Sequence, residues 1–265
     1  MIPQAGYPAV IPFLTCGWPT PDLFLASVQG ATEAGCPYFE VGFPFSDPIA
    51  DGPVIQRTSS EALSAGMSVD RCFELTKRAT DLSGRPAVVM TYANLVFYSG
   101  LDNFCERLRE SGAAGLIVPD LSFEESGPVR EACESRGIDL VSFLAPTTAP
   151  PRRLEVSAQA SGFLYLVAVR GVTGGEGADP AELRELIQSA KSVARCPVLV
   201  GFGVRGREQV ERFLADGADG VIVGSALLER VRACEQSPES VRREVLKCLE
   251  PMCQACLESP NRSPL

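Results

Sequence analysis

No histidine occurs anywhere in the 265 residues. That absence removes every His-dependent catalytic triad and every His-ligated metal centre. Acid–base chemistry must fall to Asp, Glu, Tyr, Lys, Cys or Arg. Positive charge is also short, with 24 Lys and Arg against 33 Asp and Glu, a net charge of −9. This argues against a nucleic-acid partner, because phosphate backbones are bound by clustered Lys and Arg. It does not argue against a phosphorylated small molecule, since backbone N–H groups hold a single phosphate without net positive charge. No apolar run reaches the length of a membrane span, and no basic-then-apolar signal opens the chain, so a cytoplasmic location is expected. A second CxxC is missing too. Cys253-x-x-Cys256 therefore has nothing to pair with, and no metal site is expected. The ten cysteines are scattered through expected strands and helices of a chain that is not short and secreted, so free thiols are expected.

What the chain has in quantity is a strand–helix repeat. Short apolar, β-rich runs occupy Ala9–Thr15, Tyr38–Gly42, Ala87–Tyr92, Gly115–Val118, Asp139–Leu144, Phe163–Ala168, Pro197–Gly201 and Gly220–Val223. Segments with helical spacing and charged faces lie between them, among them Leu101–Ser111, Pro180–Val193 and Arg207–Asp216. Strands separated by helices pair in parallel, and near-continuous apolar strands are covered on both faces. The pattern predicts an α/β chain, a single-domain (β/α)8 TIM barrel over residues 1–258. A doubly wound open sheet is the alternative, but it usually carries a Gly-rich turn after its first strand, where this chain has "FLTCGWPTP". Asp179-Pro180 and Ser237-Pro238 read as N-caps followed by Pro at the first helical position, the second opening a last helix over Pro238–Leu257. Residues 259–265 have little to bury and are expected to be a disordered tail.

Function in such barrels sits at the C-terminal ends of the strands and in the loops that follow. Glu40 lies near that end of the second strand, in "YFEVG", with no Lys or Arg before Arg57 to pair with it. An unpaired buried carboxylate is expensive or titrates high, so a catalytic acid is expected there. Asp47 and Asp51 share the Pro- and Gly-rich turn that follows. Spacing does not say which of them faces the site, and turn-forming Asp is common. A raised Glu40 would deliver a proton while a loop acid such as Asp51 would stay ionised and accept one. Tyr165 lies on the sixth strand. The loop after it, "GVTGGEGADP", suits a mobile lid that brings in Thr173. "GFGV" and "VGSALL" place glycines and Ser225 at two adjacent strand ends, as a phosphate site between loops seven and eight requires. A Schiff-base aldolase is disfavoured because no strand carries a Lys.

Taken together, "FEVGFPFSDPIADGPVIQ", "YANLVF", "RGVTG", "GFGV" and "VGSA" resemble the tryptophan synthase alpha chain family. The resemblance runs from about Ala9 to the last barrel unit. It implies a (β/α)8 barrel that cleaves indole-3-glycerol phosphate to indole and glyceraldehyde 3-phosphate. It implies no cofactor in this chain, and a tryptophan synthase beta chain as partner that takes the indole, uses pyridoxal phosphate and completes an alpha2beta2 heterotetramer. By motif, Glu40 matches the acid that protonates indole C3 and Asp51 the one that meets the indole N–H. Tyr92, Tyr165 and Phe13 match the indole pocket, and Gly174, Phe202, Gly203, Gly224 and Ser225 the phosphate site. Asp47 and its neighbours match the loop that meets the partner. Departures are Trp18 where the family typically has Asp, Ser122 where Pro is usual, and Arg170 before "GVTG". Only eight residues precede the first strand, so the family's extra N-terminal helix under the barrel floor is expected to be missing. A stand-alone lyase and a catalytically degenerate regulatory subunit remain the alternatives.

Overall fold

Val, Ile, Leu and Phe fill the short apolar runs, and in the computed structural model, which describes residues 1–2, 8–168, 179–201 and 203–260, these runs form nine strands. They are β1 Ala9–Thr15, β2 Phe39–Gly42, β3 Ala87–Met90, β4 Ala113–Ile117, β5 Asp139–Leu140, β6 Ser142–Leu144, β7 Leu164–Val167, β8 Val198–Gly201 and β9 Gly220–Val223. All pairings are parallel, in the order β5-β4-β3-β2-β1-β9-β8-β7-β6. The two ends of that order, β5 and β6, are consecutive in the chain and separated only by Val141. The sheet therefore comes round on itself as a barrel. The eight expected runs become nine strands because the fifth is divided between neighbours. Its first half pairs with β4 and its second with β7, and Val141 N–H still reaches Leu116 O at 3.0 Å.

The helices among the described residues are α1 Pro21–Glu33, α2 Pro53–Ser64, α3 Val69–Ser83, α4 Ala93–Tyr98, α5 Leu101–Glu110, α6 Gly127–Glu134, α7 Pro150–Gln159, α8 Pro180–Lys191, α9 Arg207–Ala215, α10 Ser225–Ala233 and α11 Pro238–Glu258. Both caps expected from the sequence form. The Asp179 carboxylate accepts from Ala181 N–H and the Ser237 hydroxyl from Ser240 N–H, each before a Pro in the first turn. A free N–H at a helix start is satisfied in each case, and Pro gives up an N–H the helix does not use. The strands are almost wholly buried, because helices cover them outside and side chains fill them inside.

No helix precedes β1 among the described residues. Ile2 closes part of the floor instead. It is 2% exposed, its N–H donates to the Asp139 carboxylate at 2.6 Å, and its side chain packs where a Cβ at Gly115 or Gly162 would stand. The cysteines are all free thiols, nine of them buried. Cys253 and Cys256 face the core from α11, with Cys253 Sγ 3.8 Å from Cys36 Sγ. Among the described residues no cluster of acidic and Cys side chains is placed to hold a metal, and no helix is long and apolar enough to cross a membrane.

Candidate active site

Strand pairing puts Glu40 opposite Phe13 on one side and Val88 on the other. Glu40 is 1% exposed, and its Oε2 has no hydrogen-bond partner among the described residues. Burial first, and the negative Asp51 second, push its carboxyl up to about 8. A proton is thus retained at neutral pH in a place where the ionised form is poorly solvated.

The turn after β2 separates its two acids. Asp47 is exposed and accepts a hydrogen bond from the Ser46 hydroxyl. Asp51 is 4% exposed. Its N–H donates to Pro48 O at 3.0 Å, and its carbonyl accepts from Gln56 Nε2 at 2.8 Å. Tyr92, from the end of β3, donates its hydroxyl to Asp51 Oδ2 at 2.9 Å and accepts from Ala50 N–H at 3.2 Å. The turn is thereby stapled at two points with its acid aimed inward. Asp51 Oδ1 is buried and, like Glu40 Oε2, has no partner among the described residues. Burial raises Asp51 to about 6, and the Tyr92 hydrogen bond restrains that rise. Asp51 is therefore a buried acid rather than an exposed loop acid, yet it remains mostly ionised at neutral pH. Replacing Tyr92 by Phe removes the one restraining hydrogen bond. The Asp51 pKa is expected to climb above about 6, which carboxyl NMR of the labelled side chain reads directly; an unmoved value would show that Tyr92 does not hold the charge.

Both carboxylates open into one cavity of about 280 Å³. Phe13 and Tyr165 supply aromatic wall beside them, with Ile55, Met90 and Ile222 adding aliphatic surface. Two glycines make room for the rings. A Cβ at Gly42 would overlap the Phe13 ring, and one at Gly201 would overlap the Tyr165 ring. On the β8 and β9 side the wall is polar backbone, from Gly203, Gly224, Ser225 and Ala226. Gly203 takes φ +80, a conformation that side chains disfavour. Ser225 begins α10, whose first-turn N–H groups have no intrahelical carbonyl to meet. The cavity therefore has an acidic, aromatic half and a half suited to an anion.

Of the residues singled out from sequence, Phe13, Glu40, Asp51, Tyr165, Gly203, Gly224 and Ser225 line this cavity. Tyr92 stands behind Asp51 rather than on the wall. Arg170, Thr173, Gly174 and Phe202 lie outside the described residues. Sequence reasoning missed Ile55, Met90 and Ile222, which carry no signal beyond being apolar. It also missed Arg205 and Glu229 at the polar side. Trp18 is not a loose end. It is buried, its indole N–H donates to Glu61 at 2.7 Å, and Arg232 pairs with the same carboxylate and stacks over the ring at 5.1 Å. Glu61 belongs to α2 and Arg232 to α10, so Trp18 joins the two helices whose N-termini open onto the cavity. Ser122 caps its own turn, its hydroxyl donating to Glu125 Oε2 at 2.8 Å and accepting from Glu125 N–H.

A sequence model of the tryptophan synthase alpha chain family matches residues 2–256. The chain is 38% identical to the tryptophan synthase alpha chain of Synechocystis over 251 residues, 95% of this chain and 93% of that one. It is 41% identical to the alpha chain of Carboxydothermus hydrogenoformans, over 92% of this chain and 90% of the relative. Among solved structures it is similar to a chain of the tryptophan synthase a2b2 complex from Pyrococcus furiosus, with a TM-score of 0.84 and 35% identity, over 94% and 98% of the two chains. Tryptophan synthase of Mycobacterium tuberculosis matches with a TM-score of 0.83 and 34% identity, over 96% and 93%.

Proposed function

The chain belongs to the tryptophan synthase alpha chain family, and from that premise we propose how its own residues divide the family's reaction. That reaction is the retro-aldol cleavage of indole-3-glycerol phosphate to indole and glyceraldehyde 3-phosphate, and the chain is a lyase of this class. The observation that carries the assignment is the pair of buried carboxylates, each with an oxygen that has no partner among the described residues, opening into one cavity.

The bond to be broken joins a carbinol carbon to C3 of an aromatic indole, a poor leaving group. Protonation at C3 turns the ring into an electron sink. Glu40, protonated up to about 8, supplies that proton. Positive charge then appears at the ring nitrogen. Asp51, raised only to about 6, is anionic there and holds the N–H. As the C3 bond breaks, its electron pair returns to the ring and restores the aromatic system. The carbinol hydroxyl loses its proton as the aldehyde forms, and the Glu40 carboxylate, freshly deprotonated, takes it. Glu40 ends as it began, and no water or redox partner is consumed. Phe13 and Tyr165 hold the indole, and Tyr92 positions Asp51. Gly203, Gly224 and Ser225 hold the phosphate, with Gly174 and Phe202 assigned by motif to the same end, and Thr173 is the hydroxyl assigned to the loop that closes over the substrate.

The exposed turn around Asp47 and Ile49, the latter 70% exposed, is the face offered to a beta chain in an alpha2beta2 assembly. Pyridoxal phosphate belongs to that partner's half of the synthesis, and this chain's half needs only the residues above. We place this activity in a single barrel domain over residues 1–258 and in the cytoplasm.

The test is indole release from indole-3-glycerol phosphate by the purified chain, alone and with a beta chain. Slow release that the beta chain stimulates is expected. Fast release alone would make the chain a stand-alone lyase, and none in either case a regulatory subunit. Ser225→Asp places a carboxylate where the phosphate sits. It is expected to raise KM about tenfold by like-charge repulsion; an unchanged KM would move the phosphate elsewhere.

A further inference from the structure

Two charged side chains line the cavity without a part in the scheme above. They are Arg205, between β8 and α9, and Glu229, in α10. Both are exposed at the rim. Neighbouring arginines in α9 and α10 are engaged. Arg207 pairs with Glu211 and Glu258, Arg230 with Glu244, and Arg232 with Glu61. The Arg205 guanidinium and the Glu229 carboxylate form no hydrogen bond or ion pair among the described residues.

The base of Arg205 is nonetheless fixed. Its backbone N–H donates to Gln209 Oε1 at 2.6 Å, and Gln209 Nε2 donates to Gly203 O at 3.0 Å. One glutamine therefore staples the turn that carries Gly203, and Arg205 lines the same cavity as Gly203, Gly224 and Ser225. Glu40, Asp51 and Glu229 line the cavity, and Arg205 is the one cationic side chain among its described lining residues. Backbone N–H groups give a phosphate hydrogen bonds but no net countercharge, and a planar guanidinium gives both.

We propose that Arg205 is a specificity-determining residue for the phosphate end of the substrate, its guanidinium meeting the phosphate oxygens at the rim while Glu229 opposes them. Together the two set how strongly the site prefers a phosphate monoester over the corresponding neutral alcohol. The inference rests on the phosphate placement proposed above and goes beyond it by adding a side-chain cation and its antagonist.

The experiment is calorimetric binding of glycerol 3-phosphate to the full chain at low and at high salt. Arg205→Gln is expected to weaken binding about tenfold at low salt, with the gap closing at high salt because the pair is exposed to screening. Arg205→Lys keeps the charge and is expected to recover most of the loss, and Glu229→Gln to tighten binding about twofold. A merely structural role for Arg205 would lower affinity equally at both salts and would not be rescued by Lys. Either that pattern or unaltered affinity in Arg205→Gln overturns the inference while leaving the lyase reading standing. If the native chain binds no glycerol 3-phosphate and releases no indole, the lyase reading fails and takes this inference with it.

Discussion

Glu40→Gln is expected to fold as the same barrel and to release indole about a thousandfold more slowly than the native chain, within the range that a general acid contributes. The amide keeps the size of the carboxyl and has no acidic proton to give to C3. Circular dichroism should therefore match the native chain while turnover collapses. The variant should also be more stable in alkali. Glutamate in the unfolded chain ionises near 4.5, whereas native Glu40 holds its proton to about 8, chiefly because burial disfavours the anion. Between those values the native state binds a proton that the unfolded state has lost. Native-chain stability therefore falls as pH rises through that window, and the full penalty is present above it. Glutamine carries no such penalty. The two chains should differ little at the acid end, and Glu40→Gln should gain a few kcal/mol by the alkaline end, since one pKa unit is worth about 1.4 kcal/mol. Urea midpoints across that range would show it. Native-like turnover by Glu40→Gln would place the acid elsewhere.

The second large effect is expected from Asp51→Asn. Removing the anion that holds the ring N–H should slow indole release by about a hundredfold or more, as loss of one preorganised charge does. A subtler consequence separates a catalytic loss from a misfolded loop. Asp51 is the second cause, after burial, of the high Glu40 pKa. With its charge gone, the alkaline limb of the residual activity should move below about 8. An unmoved limb would mean that the two acids do not sense one another, and the division of roles would fail.

Much of this site is legible in the sequence because it breaks local rules. An acid in an apolar strand is conspicuous, and Glu40 lies where that anomaly places it. The glycines and Ser225 at adjacent strand ends are equally visible, because close backbone approach needs them. The choice between Asp47 and Asp51 is not legible from spacing, and only the family resemblance picks out Asp51. Both are turn-forming residues of one type, and what separates them is a hydroxyl arriving from Tyr92, 41 residues away. Tyr92 itself reads as pocket wall until that contact is seen. Arg205, in the loop before α9, and Glu229, on α10, look like solvated surface charges, since only the closed barrel shows which residues line the same cavity. The fifth strand reads as one run because its division depends on which neighbour each half meets around the barrel. Trp18 gives no hint of its partners, because Arg232 and Glu61 meet only in three dimensions, 171 residues apart.

The measurement that bears most directly on the account is the pH dependence of kcat/KM for indole release by the native chain, with a beta chain present. The account predicts a bell, rising through about 6 as Asp51 ionises and falling through about 8 as Glu40 loses its proton. The substrate's phosphate also ionises near 6, so the alkaline limb is the deciding one. A fall through about 8 that disappears from the residual activity of Glu40→Gln would establish Glu40 as the acid. A rate that stays level or climbs above that pH would contradict it.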